Sequence, residues 1–281
     1  MIEQRKSARA FPHIILWLAI LIIIFPIYFV FVASTRTSAD ILSAPMPLFP
    51  GSHLLENYGR ALTEGAKNLG ASALTMMKNS FIMAMGISVG KILVSLLAAF
   101  AIVFFKFPGR KFCFWAIFVT LMLPVEVRIM PTYKVISDLG MLNSYAGLIL
   151  PMIVSATAVF LFRQFFMSVP REIAEASQID GATSMQFFSS ILVPMTRTPI
   201  AAMFVIQFIY GWNQYLWPLL ITTKQEYYTL LIGINRMLSG ADVVIEWQIV
   251  MATVLLALIP PVVVVVVMQK QFIAGMTDTE K

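Results

Sequence analysis

One cysteine, Cys113, and two histidines, His13 and His53, are the only thiol and imidazole side chains in 281 residues. That scarcity excludes a disulfide framework, a Cys/His metal cage and a Cys–His nucleophile pair. Cys113 lies in an apolar run and reads as a small packing residue. Charge is scarce as well. Asp, Glu, Lys and Arg make up 12% of the chain, about half the share of a soluble domain. So little charge does not cover the surface of a water-soluble sphere, which excludes an ordinary soluble enzyme. The formal charge of +6 fits cytoplasmic loops held against anionic lipid better than it fits nucleic acid.

What is there is apolar: 59% of the residues, with a mean hydropathy of +0.84. Six stretches are long enough to cross about 30 Å of hydrocarbon. They are Phe11–Ser34, Phe81–Phe105, Phe112–Pro131, Ser144–Phe162, Thr198–Leu220 and Gln248–Met268. Glu126, Arg128 and Pro151 interrupt the third and fourth, and internal prolines are tolerated where neighbouring helices re-satisfy the backbone. Arg5, Lys6 and Arg9 precede the first run like the basic region of a signal peptide. Its apolar core exceeds the usual span of about 7–15 residues, which favours a retained span. The expected fold is therefore all-α and integral to a membrane, with no internal repeat. Residues 1–76 would hold a tail, the first span and a long loop; 77–269 would form the core; 270–281 would be a second tail.

Basic residues choose a side. With the N-terminus inside, eleven fall in cytoplasmic segments and eight outside, half of those eight in one long loop that weighs less. Lys106, Arg110 and Lys111 mark the clearest inner connection. Both termini are then cytoplasmic. Two connections are larger than turns: residues 35–78 outside, with a helical pattern near Leu54–Leu62, and residues 163–197 inside.

The inner segment SVPREIAEASQIDGATSMQFFSSILVP predicts two short helices. Pro170 suits a first helical position, and Glu172 lies in the first turn, where the helix dipole favours an acid. Gly181 can adopt the left-handed conformation that ends a helix. Thr183 and Gln186 have capping-box spacing for the second helix, and Pro194 is expected to stop it. Glu172, Glu175 and Asp180 would meet DNA phosphates badly. The small and apolar surface fits either a docking partner or the cytoplasmic ends of the chain's own spans.

The run Glu175-Ala176-Ser177, then Gly181, then Ile191-Leu192-Val193-Pro194, resembles the EAA–G–I-LP loop of type I ABC importer permeases. Gly181 and Ile191 stand at the spacings of that motif, with Ser177 and Val193 as slight departures. The resemblance extends along nearly the whole chain, through LFPGSHLLENYGRAL, KNSFIMA and LMLPVEVRIMPTYKVISDLGMLNSYAGLILP. It narrows to the maltose-type class. GWNQYLWPLL and LIPPVVVVVVMQKQFIAGMTDTEK point further, to the permease subunits of bacterial sn-glycerol-3-phosphate importers.

The resemblance implies a six-span inner-membrane subunit whose inner loop is a coupling helix docked on an ATPase. Glu175, Ala176, Ser177, Asp180, Gly181, Ile191 and Pro194 would carry that role. It implies a second, different permease subunit, two ATP-binding subunits holding ATP and Mg, a periplasmic solute-binding protein and surrounding lipid. No nucleic acid, no cofactor or metal on this chain and no catalytic residue are implied. Another sugar or polyol remains the alternative solute.

The chain carries no chemistry of its own that contradicts this. Gly86, Gly90 and Lys91 imitate a phosphate-binding loop, but the glycines are one residue too close and Ile92 stands where Ser or Thr is required. An ATP-independent secondary transporter would need intramembrane acids or a broken-helix ion site, and a pure scaffold would leave the inner loop unexplained. Asn213, Gln214 and Tyr215 interrupt the fifth run and either line a translocation path or bind helices together. Trp217 and Pro218 read as packing or an interfacial anchor. Lys91, a cation within a span, costs about 2.5–3.5 kcal/mol. It contacts either an anionic solute or a neutral set of backbone carbonyls, water or the second permease. Glu126 and Arg128 are either solvated loop charges or part of an outer gate.

Overall fold

The computed structural model describes residues 6–120, 125–239 and 244–277, with side chains over 12–120, 127–239 and 244–269. Every regular element among the described residues is helical. Helix α1 (Lys6–Ser34) is followed by the short α2 (Ser38–Leu42) and α3 (Leu54–Thr63), then by the long α4 (Ala73–Phe104). Next come α5 (Arg110–Val119), α6 (Val125–Asp138), α7 (Tyr145–Ile149) and α8 (Ala156–Ser168). The 163–197 connection contributes α9 (Arg171–Ile179), α10 (Ser184–Phe187) and α11 (Val193–Met195). The chain continues through α12 (Arg197–Trp212), α13 (Leu216–Ile221), α14 (Leu230–Leu238) and α15 (Trp247–Thr277).

Among the described residues three helices are long and apolar enough to cross a membrane: Pro12–Ser34, Ala73–Phe104 and Trp247–Gln269. Two further spans are possible as bent pairs, Tyr145–Met152 with Ala156–Ser168 at 49° and Ser184–Met195 with Arg197–Trp212 at 74°. The first bend falls where Pro151 lacks a donor and Ser155 caps a new helix, its hydroxyl accepting from the Ala158 amide at 3.3 Å. The apolar run at 112–131 contains most of α5 and the first half of α6. Its Leu121–Pro124 junction lies outside the described residues, as does the side chain of Glu126. Cys113 corrects the expectation of a packed thiol: it is exposed. Helix α5 buries none of its residues within this chain, because an apolar face in a membrane needs lipid or a partner helix rather than a core.

The chain forms two compact units. The first joins Met1–Met76 with Gly233–Ile259. Here α1 is exposed along most of its length and packs only at its end, where Val32, Ala33, Ser34 and Thr35 are buried. Polar groups of the following loop tie themselves to that end. Asn57 donates to the Ser34 and Arg36 carbonyls, each at 2.9 Å, and the Gly51 amide donates to the Thr35 hydroxyl at 2.7 Å. Arg60 pairs with Glu246 at 2.7 Å, and the Lys67 amide donates to the other Glu246 oxygen at 3.0 Å.

Burial pushes the Glu246 carboxyl up, but the Lys67 N–H and the Arg60 guanidinium outweigh it and hold the group below its ordinary value. A carboxylate depressed in the folded state stabilises fully above its unfolded value and loses that contribution as pH falls through the folded one. Acidification through the folded-state value of this carboxyl should therefore loosen the loop. Hydrogen-exchange protection of the Lys67 amide, measured at each pH and corrected for the intrinsic exchange rate, should fall in the wild type as pH is lowered. It should be low and pH-independent in Glu246→Gln. A wild-type protection indifferent to pH would contradict the assignment.

The second unit joins Met77–Ile232 with Pro260–Lys281. One core gathers Ile92, Leu96, Phe100, Phe162, Phe166, Phe187, Leu192 and Met203. The other gathers Met83, Ile87, Ile129, Ile136, Leu148, Trp217 and Ile221. Small residues on α4 let its neighbours approach closely. A Cβ added at Gly86 would sit 2.6 Å from Ile149 Cδ1, and one at Gly90 2.5 Å from Ile153 Cγ2. These glycines are a helix-packing pair one turn apart, which is why they resemble a phosphate loop without being one. On α12, Gly211 meets α4 in the same way, since an added Cβ would lie 2.9 Å from Ala84 Cα.

Candidate functional site

The connection at 163–197 is built from local signals. Pro170 is extended (φ −56°, ψ 135°) and stands one position before α9 rather than inside it. At the other end Gly181 has φ +77°. Its amide donates to the Gln178 carbonyl at 3.1 Å and the Ala182 amide to the Ser177 carbonyl at 2.9 Å. This pair of bonds is a Schellman closure, which needs a left-handed residue. Thr183 then caps α10: its hydroxyl accepts from the Gln186 amide at 3.3 Å, and Gln186 Oε1 accepts from the Thr183 amide at 2.8 Å.

Pro194 does not stop the second helix. Helix α10 runs into a π-helical turn, Phe188–Leu192, and Pro194 lies in the first turn of α11. A proline is accommodated in a first turn because its missing N–H has no required partner there, and the π turn resets the ladder just before it. The stop comes at Thr196, whose hydroxyl donates to the Leu192 carbonyl at 2.6 Å.

The loop has two faces. Ser177 and Phe187 are buried, and Ile173, Ala174 and Ile191 pack on the core that contains Phe100 and Phe162. Glu172, Glu175, Ala176, Asp180, Gly181 and Pro194 are exposed. Ile179 and Met185 are exposed too, at 85% and 59%. The outer face thus combines acids with unburied apolar side chains, the composition of a docking surface. The inner face is fastened to the end of α4 by aromatic rings. Phe100 lies 4.9 Å from Phe188 and 6.4 Å from Phe187 between centroids, and Phe104 lies 5.2 Å edge-on from Phe187.

The second group of expected site residues sits at a break in the backbone. Helix α12 ends at Trp212, and α13 begins at Leu216. Asn213 and Tyr215 are exposed, and Gln214 is half-buried with its amide donating to the Tyr210 carbonyl at 3.2 Å. Trp217 is packing: it is buried and its indole donates to the Gly147 carbonyl at 3.2 Å.

Lys91 is buried on α4, and its amine donates to Gln207 Oε1 at 3.0 Å. The same amine lies 3.8 Å from the Tyr210 ring centroid. Neither Gln207 nor Tyr210 was expected from the sequence. The missed signal is spacing: Gln207 and Tyr210 fall at i and i+3 on one face of α12, and Gln214 follows just past its end. Among the described residues no group of His, Cys, Asp and Glu is placed to hold a metal.

Residues 91–278 match the family described as "Binding-protein-dependent transport system inner membrane component". The chain belongs to that family: it is an inner-membrane permease component. A bacterial ABC transporter involved in the import of the acidic polysaccharide alginate shares the fold, with a TM-score of 0.82 and 22% identity over 97% of this chain and 100% of that one. More specific are relatives described as sn-glycerol-3-phosphate transport system permease protein UgpE. Those of Brucella melitensis biotype 1 and Agrobacterium fabrum are 55% and 54% identical over 282 residues. That of Escherichia coli O1:K1 / APEC is 54% identical over 281 residues, and in all three cases 100% of both chains is covered.

Proposed function

We propose that this chain is the six-span permease subunit of an ABC importer that carries sn-glycerol-3-phosphate across the inner membrane, with both termini cytoplasmic. The observation that carries the reading is the full-length likeness to UgpE proteins, at 55% identity. The three long helices, the two bent pairs and the α5–α6 stretch would supply the spans. The outer face of α9 and the Gly181 turn would dock on one of two ATP-binding subunits, which supply ATP and its hydrolysis. A second, different permease subunit would complete the cavity, and a periplasmic binding protein would deliver solute. Closure of the ATPase dimer would pull α9 and α10, and the rings joining Phe187 and Phe188 to Phe100 would carry that motion into α4. Differential binding of ATP and loaded binding protein then shifts the population between inward- and outward-facing states, with no bond chemistry on this chain. Asn213, Gln214 and Tyr215 would line the path.

The deciding experiment is uptake of labelled sn-glycerol-3-phosphate by vesicles holding the complete assembly. Uptake should require ATP and the binding protein; ATP-independent uptake, or none, would refute the proposal. Orientation is tested separately with single cysteines at Glu175 and Ile179 in a Cys113→Ser background, needed because Cys113 is exposed. Both should react with an impermeant maleimide from the inner side only, and more slowly once the ATPase is bound. Labelling from the outer side would reverse the topology.

A further inference from the structure

The turn between α4 and α5 gathers charge of one sign. Lys106, Arg110 and Lys111 fall close together, and the sequence holds no acid from residue 65 to residue 125. None of the ion pairs among the described residues involves these three bases. Arg110 Nη1 donates to the Phe105 carbonyl at 3.3 Å, which ties its guanidinium to the turn. Arg110 and Lys111 also stand in the first turn of α5, where a helix dipole favours acids over bases. The bases border a cleft of about 470 Å³, lined among the described residues by Lys106, Phe107, Gly109, Arg110, Lys111 and Phe112. That volume lies within the range of small-ligand sites. Three cations around one cleft repel each other, and an anion seated among them relieves the repulsion.

The position of the cleft selects the anion. Helix α4 is apolar and long enough to cross a membrane from Ala73 to Phe104, so the turn that follows it lies at the boundary of hydrocarbon and water. Phe105, Phe107, Phe112 and Trp115 are exposed there, at 43%, 37%, 77% and 58%. A soluble phosphate makes no use of exposed rings. A phospholipid does, because its phosphate meets the bases while its acyl chains meet the aromatic side chains. Arginine offers a planar fork to the phosphate oxygens, and each lysine a point charge. A zwitterionic headgroup would bring its own ammonium against three cations, whereas an anionic headgroup brings none. The cleft is also joined to the seat of α10. Phe105 lies 5.3 Å edge-on from Phe100, which packs against Phe187 and Phe188.

We propose that the α4–α5 turn is a binding site for an anionic phospholipid. Lys106, Arg110 and Lys111 hold the headgroup phosphate, and Phe107 and Phe112 lie along the acyl chains. The bound lipid steadies the end of α4 on which α10 rests. The site needs α4 to cross the membrane and is independent of which solute is carried.

The test uses the complete transporter in neutral detergent micelles, with phosphatidylglycerol or phosphatidylcholine carrying a photoreactive group in one acyl chain. Cross-links are mapped by mass spectrometry to residues 105–118 of this chain. The phosphatidylglycerol probe should label that stretch about tenfold more than the phosphatidylcholine probe. Arg110→Gln/Lys111→Gln should lower its labelling to the phosphatidylcholine level. Arg171→Gln/Arg197→Gln removes the same amount of charge from the connection whose Phe187 meets Phe104 at this end of α4, and it should leave labelling unchanged. Equal labelling by the two probes in the wild type overturns the proposal without any variant, so a variant that fails to assemble does not decide the matter. Undiminished labelling in Arg110→Gln/Lys111→Gln overturns it too. An equal loss in Arg171→Gln/Arg197→Gln would show diffuse attraction rather than a site. Displacement of the probe by excess inorganic phosphate, but not by chloride at equal ionic strength, would make the cleft a site for soluble phosphate and overturn the lipid as its occupant.

Discussion

Gly181→Val is expected to lower solute uptake by the assembled transporter about tenfold, the rate equivalent of about 1.4 kcal/mol, while membrane insertion is unchanged. The reason is backbone conformation, since no heavy atom lies within 4 Å of a Cβ added at Gly181. At φ +77° an L-residue costs about 1–2 kcal/mol relative to glycine, and a β-branched one is a genuine outlier there. Valine therefore pushes the turn away from the Schellman closure that sets the angle between α9 and α10. The insertion step does not feel this, because Gly181 lies outside the apolar runs. Gly181→Asn should keep most of the activity, since asparagine tolerates the left-handed region, and Gly181→Ala should fall between. Uptake that followed side-chain volume rather than this order, or a valine variant as active as the wild type, would remove the backbone role.

Phe100→Ala should have the largest effect on stability. Phe100 is 5% exposed and touches four other rings: Phe104, Phe105, Phe187 and Phe188. Truncating a buried Phe to Ala costs about 3–5 kcal/mol in well-packed cores. Lipid is as apolar as the site, so the loss here is the packing and the cavity rather than transfer from water. Two of the four rings belong to the loop, so α10 would lose its seat against α4. The thermal midpoint of the purified complex should fall, and uptake should fall more steeply than ATP hydrolysis. Phe100→Leu, which keeps most of the volume, should restore much of both. An alanine variant with undiminished uptake would show that force does not pass through this cluster.

Both predictions concern the 163–197 connection, and its legibility is uneven for a physical reason. The helix caps at Thr183 and the turn at Gly181 depend on residues within a few positions of each other, so their chemistry is visible in the sequence. Pro194 was read as a stop because a proline removes a helical donor. The π turn that precedes it, which makes that donor unnecessary, has no local signature. Cys113 was read as packed because its neighbours are apolar; in a membrane chain apolar neighbours do not imply a protein core. Lys91 was visible as an anomaly, yet its partner Gln207 lies 116 residues away, and spacing alone cannot connect the two.

By itself the sequence determined the class of solvent, the helical period and the loop that departs from it. Apolar runs of sufficient length require helices in lipid, where every backbone donor must be satisfied within its own segment. The two short helices around Gly181 follow from cap and turn chemistry that is likewise local. Tertiary structure decided where those helices break, which glycines on α4 admit Ile149 and Ile153, and which face of α9 is left uncovered. It also decided that the buried ammonium of Lys91 is held by a neutral amide and an aromatic ring. These are relations between distant segments, set by how closely α4 and its neighbours can approach, and no local pattern encodes that distance.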